Sequence, residues 1–252
     1  GGGCLAFPSA MKSVGWVMAL ILFVVVAVCS YYTLVILMRA GIKKKTYDYN
    51  GLIELSMGIK MVWFSDINNL ILCVGVIMSY QKFIYSFATD ILIAFFDIEK
   101  ENKIIQIIII LVCFFFIQIP LTLMKKIAYL QYVSILGSLA LIYSIIVIIS
   151  ETYTKYNISI QTYEVVAFEE FGWGYVNSMA IFLFGFCSHN GIFQIFIELN
   201  RPSKSRYSKI LNRSFALEIV LYLSIGFSGY FSFLGGTTDN ILSNYAIDDN
   251  FI

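Results

Sequence analysis

Two short runs hold the residue types that can bind a polar solute inside an apolar protein. The first is Gly1-Gly2-Gly3-Cys4-Leu5-Ala6-Phe7-Pro8. The second is Phe184-Gly185-Phe186-Cys187-Ser188-His189-Asn190-Gly191. Glycine lacks Cβ, so its backbone leaves a helix easily and its N–H groups can be approached closely. Pro8 carries no donor and is expected to break the helical ladder. In lipid, loose backbone polar groups are costly unless protein, water or a ligand satisfies them. A broken apolar helix is therefore a candidate binding site for a polar solute. The second run adds a serine, the chain's single histidine and an asparagine at mid-span. Polar side chains there face a cavity or a partner helix. Ordinary packing through small residues is the competing reading of either run alone.

The elements that must position these runs are membrane helices. Of 252 residues, 59% are hydrophobic and 13% charged, a balance that suits a bilayer rather than a soluble domain of this size. The net charge of +1 points to no nucleic-acid partner. A span needs roughly 20 apolar residues. Six stretches qualify, near Trp16–Met38, Ile67–Thr89, Ile104–Met124, Tyr132–Ile149, Ser178–Ile197 and Phe215–Leu234. Leu5–Val14 is too short and reads as the second half of a broken helix. Counting it as helix one, the second run lies in helix six. That separation is the one expected of a five-plus-five inverted repeat with a discontinuous first helix in each half. The fold class is all-α integral membrane, in one transmembrane domain. With no Met at its start and a first helix that begins in mid-motif, the chain is expected to be part of a longer protein.

Charge fixes the orientation. Arg39, Lys43, Lys44, Lys45 and Lys60 follow the first full span, Lys125 and Lys126 the third, and Arg201, Lys204, Arg206, Lys209 and Arg213 the fifth. These are twelve of the seventeen Lys and Arg residues. The intervening loops are acidic: Asp97, Glu99 and Glu101, then Glu151, Glu164, Glu169 and Glu170, with Asp239, Asp248 and Asp249 in the tail. The basic loops are the cytoplasmic ones. Asn157-Ile158-Ser159 is a glycosylation sequon in a loop expected outside, and Asn212-Arg213-Ser214 is a chance tripeptide on the inside. Tyr47–Lys60 is expected to form a short interfacial helix through Leu52, Ile53, Leu55 and Met57. Cys4, Cys29, Cys73, Cys113 and Cys187 are isolated in apolar stretches and read as small buried hydrophobes. No paired carboxylates, nucleophile–base set or metal-ligand spacing lies in the spans, which speaks against an enzyme.

These residues resemble the amino acid/auxin permease family, which includes the sodium-coupled neutral amino acid transporters and the vesicular inhibitory amino acid transporter. The opening GGGCLAFPSAMKSVGW is similar to the family's G-x-G-apolar-L-x-x-P-x-A-apolar-x-x-x-G-W. Ser30-Tyr31-Tyr32-Thr33-Leu34 looks like the end of its second helix. Gly75-Val76, Ser79-Tyr80 and Asp90 resemble its G-V-x-x-S-Y…D. His189 with Ile195, Phe196, Glu198, Leu199 and Pro202 resembles H…I-Y-x-E-L and the proline after it. Leu221-Tyr222, Gly226, Gly229-Tyr230 and Phe233 resemble L-Y…G-x-x-G-Y-x-x-F. The resemblance covers essentially the whole chain.

It implies an eleven-helix transporter with the inverted-repeat fold, of which this chain supplies the last half of helix one through helix seven. The substrate it implies is an amino acid, moved by secondary active transport. Freed N–H groups of Gly1, Gly2, Gly3 and Cys4 would bind its carboxylate at the positive end of the half-helix. Carbonyls around Phe184, Gly185, Phe186, Cys187 and Ser188 would bind its ammonium. Tyr80 on helix three would add a hydroxyl. His189 would titrate near neutral pH and make transport pH-sensitive. No cofactor is implied beyond a coupling ion, Na+ or H+. The membrane is the plasma membrane or that of a lysosome or vacuole. Asn190 and Gln194 stand where the family often has prolines, so a less sharply broken helix six is expected. Lys82 departs from an apolar position of helix three and either snorkels or faces the aqueous vestibule. Glu218, near the inner end of helix seven, is expected to snorkel to the interface. A membrane amino acid sensor of the same fold, signalling through a cytoplasmic partner, is the rival reading. A seven-helix receptor fits the short first segment and the paired interruptions less well.

The topology is testable by single-cysteine labelling from outside in a cysteine-free background. Ile160→Cys is expected to label in intact cells and Lys45→Cys only after permeabilisation. The opposite pattern overturns the orientation.

Overall fold

The computed structural model describes residues 2–96, 107–108, 111–112, 114–123, 131–199 and 203–245. The regular elements among them are helical. A 3-10 run, Gly2–Ala6, leads into α1 (Phe7–Val14), followed by α2 (Trp16–Lys44), α3 (Tyr49–Met57) and α4 (Ile59–Phe96). A π turn at Phe114–Gln118 runs into a helical turn at Ile119–Thr122. Then come α5 (Gln131–Ser159), α6 (Trp173–Gly185), a 3-10 turn at His189–Gly191, α7 (Ile192–Glu198) and α8 (Lys204–Phe233). The chain divides into two compact units, Gly1–Asp48 with Ser134–Ala246 and Tyr49–Val133 with Ile247–Ile252.

Four helices are long and apolar enough to cross a membrane: Trp16–Lys44, Ile59–Ser86, Tyr132–Ser159 and Lys204–Gly236. Two of the six expected spans are missing from that set for different reasons. Ile104–Met124 lies partly outside the described residues. Ser178–Ile197 is split between α6 and α7 by a stretch that is not α-helical. That interruption is sharper than Asn190 and Gln194 led one to expect. Phe186 takes φ −90° and ψ 6°, and Ser188 φ −120° and ψ 6°, so the ladder fails without proline.

Other boundaries also differ. Pro8 does not break a helix; it occupies the first turn of α1, where its missing N–H costs nothing. The helix over Tyr132 continues to Ser159, because Ser159 Oγ donates to the Ser232 carbonyl of α8 at 2.8 Å. The Asn157 sequon therefore sits on a last helical turn, with Asn157 exposed. Asn212 of the second tripeptide is helical, and its Oδ1 accepts from the Tyr31 hydroxyl at 2.8 Å. The helix over Phe215 begins at Lys204, where the Ser203 side chain caps the Arg206 amide. The Tyr49–Met57 helix forms as expected, with Leu52 buried and Leu55 and Met57 exposed. Along α4, Trp63, Leu70 and Met78 are exposed apolar side chains, as lipid contact requires.

Within the first unit, the short α1 is buried on nearly all sides: Phe7, Pro8, Ser9, Ala10, Met11 and Val14 are all inside. Apolar tails are as oily as leucine, so burial alone cannot hold it there; close packing and hydroxyl bonds must. Glycines supply the closeness. A Cβ on Gly174 would meet the Ser13 carbonyl oxygen at 2.5 Å, and one on Gly229 would meet Pro8 Cγ at 2.5 Å. Ser178 Oγ adds a buried hydrogen bond to the Ala10 carbonyl at 2.9 Å.

The break between α1 and α2 is held by a strap. The Trp16 and Val17 amides donate to the Val166 and Ala167 carbonyls at 3.1 and 3.2 Å, and the Glu169 amide donates to Val14 O at 3.1 Å. These bonds satisfy helix-end groups that lipid cannot. Gly15, at φ +82°, makes the turn, and a Cβ there would lie 2.5 Å from the Ala167 main chain. Gly58 also has positive φ, +87°, but nothing within 4 Å of such a Cβ. Gly58→Ala should therefore cost about 1 kcal/mol, whereas Gly15→Ala should cost clearly more and lower the melting temperature in detergent further. Equal losses contradict the strap.

Candidate functional site

The two runs flagged in the sequence come together in the first unit. A Cβ on Gly3 would lie 2.9 Å from Phe184 Cδ1, so the ring fills the space that the side chain lacks. A Cβ on Gly185 would lie 2.5 Å from Phe7 Cζ. Each interruption thus has a glycine against an aromatic ring of the other.

An aromatic cluster locks this contact. Phe7 meets Phe182, Tyr222 and Phe23 edge to face, with centroids 5.2, 4.9 and 6.0 Å apart. Phe186 reaches Phe23 at 5.1 Å, Phe215 at 5.3 Å and Tyr222 at 5.5 Å. Such geometries add roughly 0.5–1.5 kcal/mol per pair beyond their buried area. Phe7, Phe182 and Phe186 are essentially fully buried, so Phe186 can offer a ligand only its backbone. Cys4 is wholly buried too, while Cys187 and Ser188 are exposed. Cys4, Cys29, Cys73 and Cys187 are free thiols, and Cys113 lies outside the described residues.

The 3-10 run Gly2–Ala6 leads directly into α1. Gly1 lies outside the described residues. At the second break, the Cys187 amide donates to Phe184 O, the Ser188 amide to Phe186 O and the Gly191 amide to Ser188 O, at 3.2, 3.0 and 3.3 Å. The Gly185 carbonyl instead accepts from the Tyr222 hydroxyl at 3.2 Å.

His189 is half-buried, with Nε2 2.8 Å from Thr33 Oγ1 of α2. Thr33 also lies 3.0 Å from the Cys29 and Ser30 carbonyls. The Thr33 hydroxyl thus links His189 to the α2 backbone.

Tyr80 lies on α4 in the second unit, 40% exposed, and Lys82 on the same helix is exposed. Glu218 sits half-buried at the middle of α8, one helical turn before Tyr222. The aromatic cluster was missed, although Phe7 and Gly185 both lie inside the flagged runs.

The model of the family described as transmembrane amino acid transporter protein matches residues 1–252. Among curated relatives, vacuolar amino acid transporter 7 of Saccharomyces cerevisiae is 29% identical over 97% of this chain and 49% of its own length. Putative amino acid transporter AAT1 of Plasmodium falciparum is 28% identical over 97% of this chain and 40% of its own. Putative sodium-coupled neutral amino acid transporter 11 of Danio rerio is 25% identical over 99% and 56%. The chain spans about half the length of the curated relatives it matches. No solved structure matches it. The chain belongs to the transmembrane amino acid transporter family. It is a multi-pass membrane protein and not an enzyme.

The packing makes a direct prediction. Gly3→Val is expected to displace the Phe184 ring and lower the melting temperature in detergent. Adding Phe184→Ala should recover part of the loss, giving a non-additive double-mutant cycle. Strict additivity contradicts the contact.

Proposed function

We propose that the protein carries amino acids across a membrane by secondary active transport, with the substrate held between the two interrupted segments. The observation that carries this reading is the pairing itself: the opening 3-10 run and the break after Gly185 pack on each other through Gly3, Phe184, Phe7 and Gly185. In a chain of this family, two such breaks in contact are the arrangement that an inverted-repeat transporter uses to hold a zwitterion away from water.

In this reading the chain supplies the second half of helix one through helix seven of a five-plus-five fold, as part of an eleven-helix protein. The N–H groups of Gly1, Gly2, Gly3 and Cys4 take the substrate carboxylate. The carbonyls of Gly185, Phe186, Cys187 and Ser188 take the ammonium, with Phe186 contributing backbone only. His189 lends pH sensitivity. The coupling ion is Na+ or H+, and a sodium-coupled transporter stands among the named relatives. The membrane is that of a vacuole or lysosome, as one relative's name suggests, or the plasma membrane. Asn157, exposed on the last turn of α5, is the glycosylation acceptor if that face is outside.

Uptake of a labelled amino acid panel into vesicles bearing the protein as the cell makes it tests the reading. Accumulation of small neutral amino acids under an ion gradient is expected. A protein that moves only sugars or inorganic ions overturns it.

A further inference from the structure

The basic ends of α2 and α8 have no part in the site above. α2 closes on Lys43, Lys44 and the left-handed cap Lys45, with Arg39 one turn earlier. α8 opens at Lys204, with Lys209 and Arg213 along its first turns. Arg39, Lys43, Lys44, Lys45, Lys204, Lys209 and Arg213 are all exposed. Among the described residues, no carboxylate pairs with any of them. Cations at the end of α2 suit its dipole, whereas cations at the start of α8 oppose it. Helix stability therefore accounts for the first group and not for the second.

The two groups meet in space. α2 and α8 pack antiparallel. The Trp16 ring lies 6.4 Å from Phe227 and 6.1 Å from Phe231, while the Tyr31 ring lies 5.4 Å from Phe215 and its hydroxyl bonds to Asn212 at 2.8 Å. Arg39 follows Tyr31 by about two helical turns, and Lys204 precedes Asn212 by about two. Both thus reach one depth, about 12 Å along the helices from the Tyr31–Asn212 bond. Insertion bias counts cations loop by loop and requires no such meeting. One turn nearer the membrane centre, the same faces are apolar. Ile36 precedes Arg39 by a turn and Leu217 follows Arg213 by a turn, and both are exposed. A cation with an exposed apolar residue beside it on one helix face suits a lipid, phosphate at the head and acyl chain along the helix.

We infer that the paired ends of α2 and α8 form one binding surface for an anionic phospholipid whose headgroup bears a phosphomonoester, a phosphoinositide of the cytoplasmic leaflet. A phosphomonoester brings about −1.5 to −2 of charge near neutral pH, which several cations from two helices match better than they match a singly charged headgroup. The lipid ties together two helices that both bond to the second break, through Thr33 and Tyr222, and so stabilises the first unit. This inference rests on the membrane orientation and not on the amino acid reading.

The test is a thermal-shift titration of the purified, detergent-solubilised protein, as the cell makes it, with dioctanoyl phosphatidylinositol 4-phosphate. Saturable stabilisation is expected. Dioctanoyl phosphatidylcholine should be inert, and dioctanoyl phosphatidylserine and the tail-free inositol phosphate headgroup should each bind at least roughly tenfold more weakly. Lys43→Gln/Lys44→Gln/Lys45→Gln and Lys204→Gln/Lys209→Gln/Arg213→Gln should each weaken phosphoinositide binding roughly tenfold or more. Lys43→Arg/Lys44→Arg/Lys45→Arg should keep it. Four results each overturn the proposal: phosphatidylcholine stabilising as well, phosphatidylserine binding as tightly, the tail-free headgroup binding as tightly, or only one of the two glutamine variants losing affinity.

Discussion

The Phe7 ring has to fit where a helix side chain would ordinarily be, in the notch left by Gly185. Phe182, Phe23 and Tyr222 close around it. That fit governs the rest of the first unit. A helix of α1's length is marginal by itself, and in lipid no hydrophobic force presses it on its neighbours. It stays because glycines on α6 and α8 let it approach to backbone distance, and because interlocked rings give dispersion contacts on every side. Once α1 is fixed, the 3-10 run ahead of it must end beside Phe184. Gly3 then lies against the Phe184 ring.

The flagged side chains of the two runs differ in exposure: Phe186 and Cys4 are buried, whereas Cys187 and Ser188 are exposed. Polar valence is left over where helices start and stop. Most of the loose ends are accounted for inside the protein: the strap closes the α1–α2 gap, and successive turns close the second break. The Gly185 carbonyl differs, because a side chain satisfies it: it accepts from the Tyr222 hydroxyl at 3.2 Å.

Much of this was legible in the residues. Long apolar runs and alternating basic loops located the helices, since lipid admits few alternatives. The glycine-containing run at 184–191 located the second break, since a backbone that leaves a helix needs small residues. Helix ends were less legible. α5 and α8 run past their apolar stretches because Ser159 finds Ser232 across the bundle and Ser203 caps a polar first turn. Pro8 was misjudged because the same ring that breaks a helix from within starts one well. The sharp second break without proline has its origin in packing: Phe186 turns into the Phe23–Phe215–Tyr222 cluster, and the helix yields to that packing.

The most direct measurement is an electron cryomicroscopy structure of the protein as the cell makes it, with a bound amino acid. The ligand is expected between the opening glycine run and the break after Gly185, with its carboxylate on the amides beside Gly3 and its ammonium on the released carbonyls. An amino acid bound elsewhere, with the Gly3–Phe184 and Phe7–Gly185 contacts intact and nothing between the two breaks, would contradict the account.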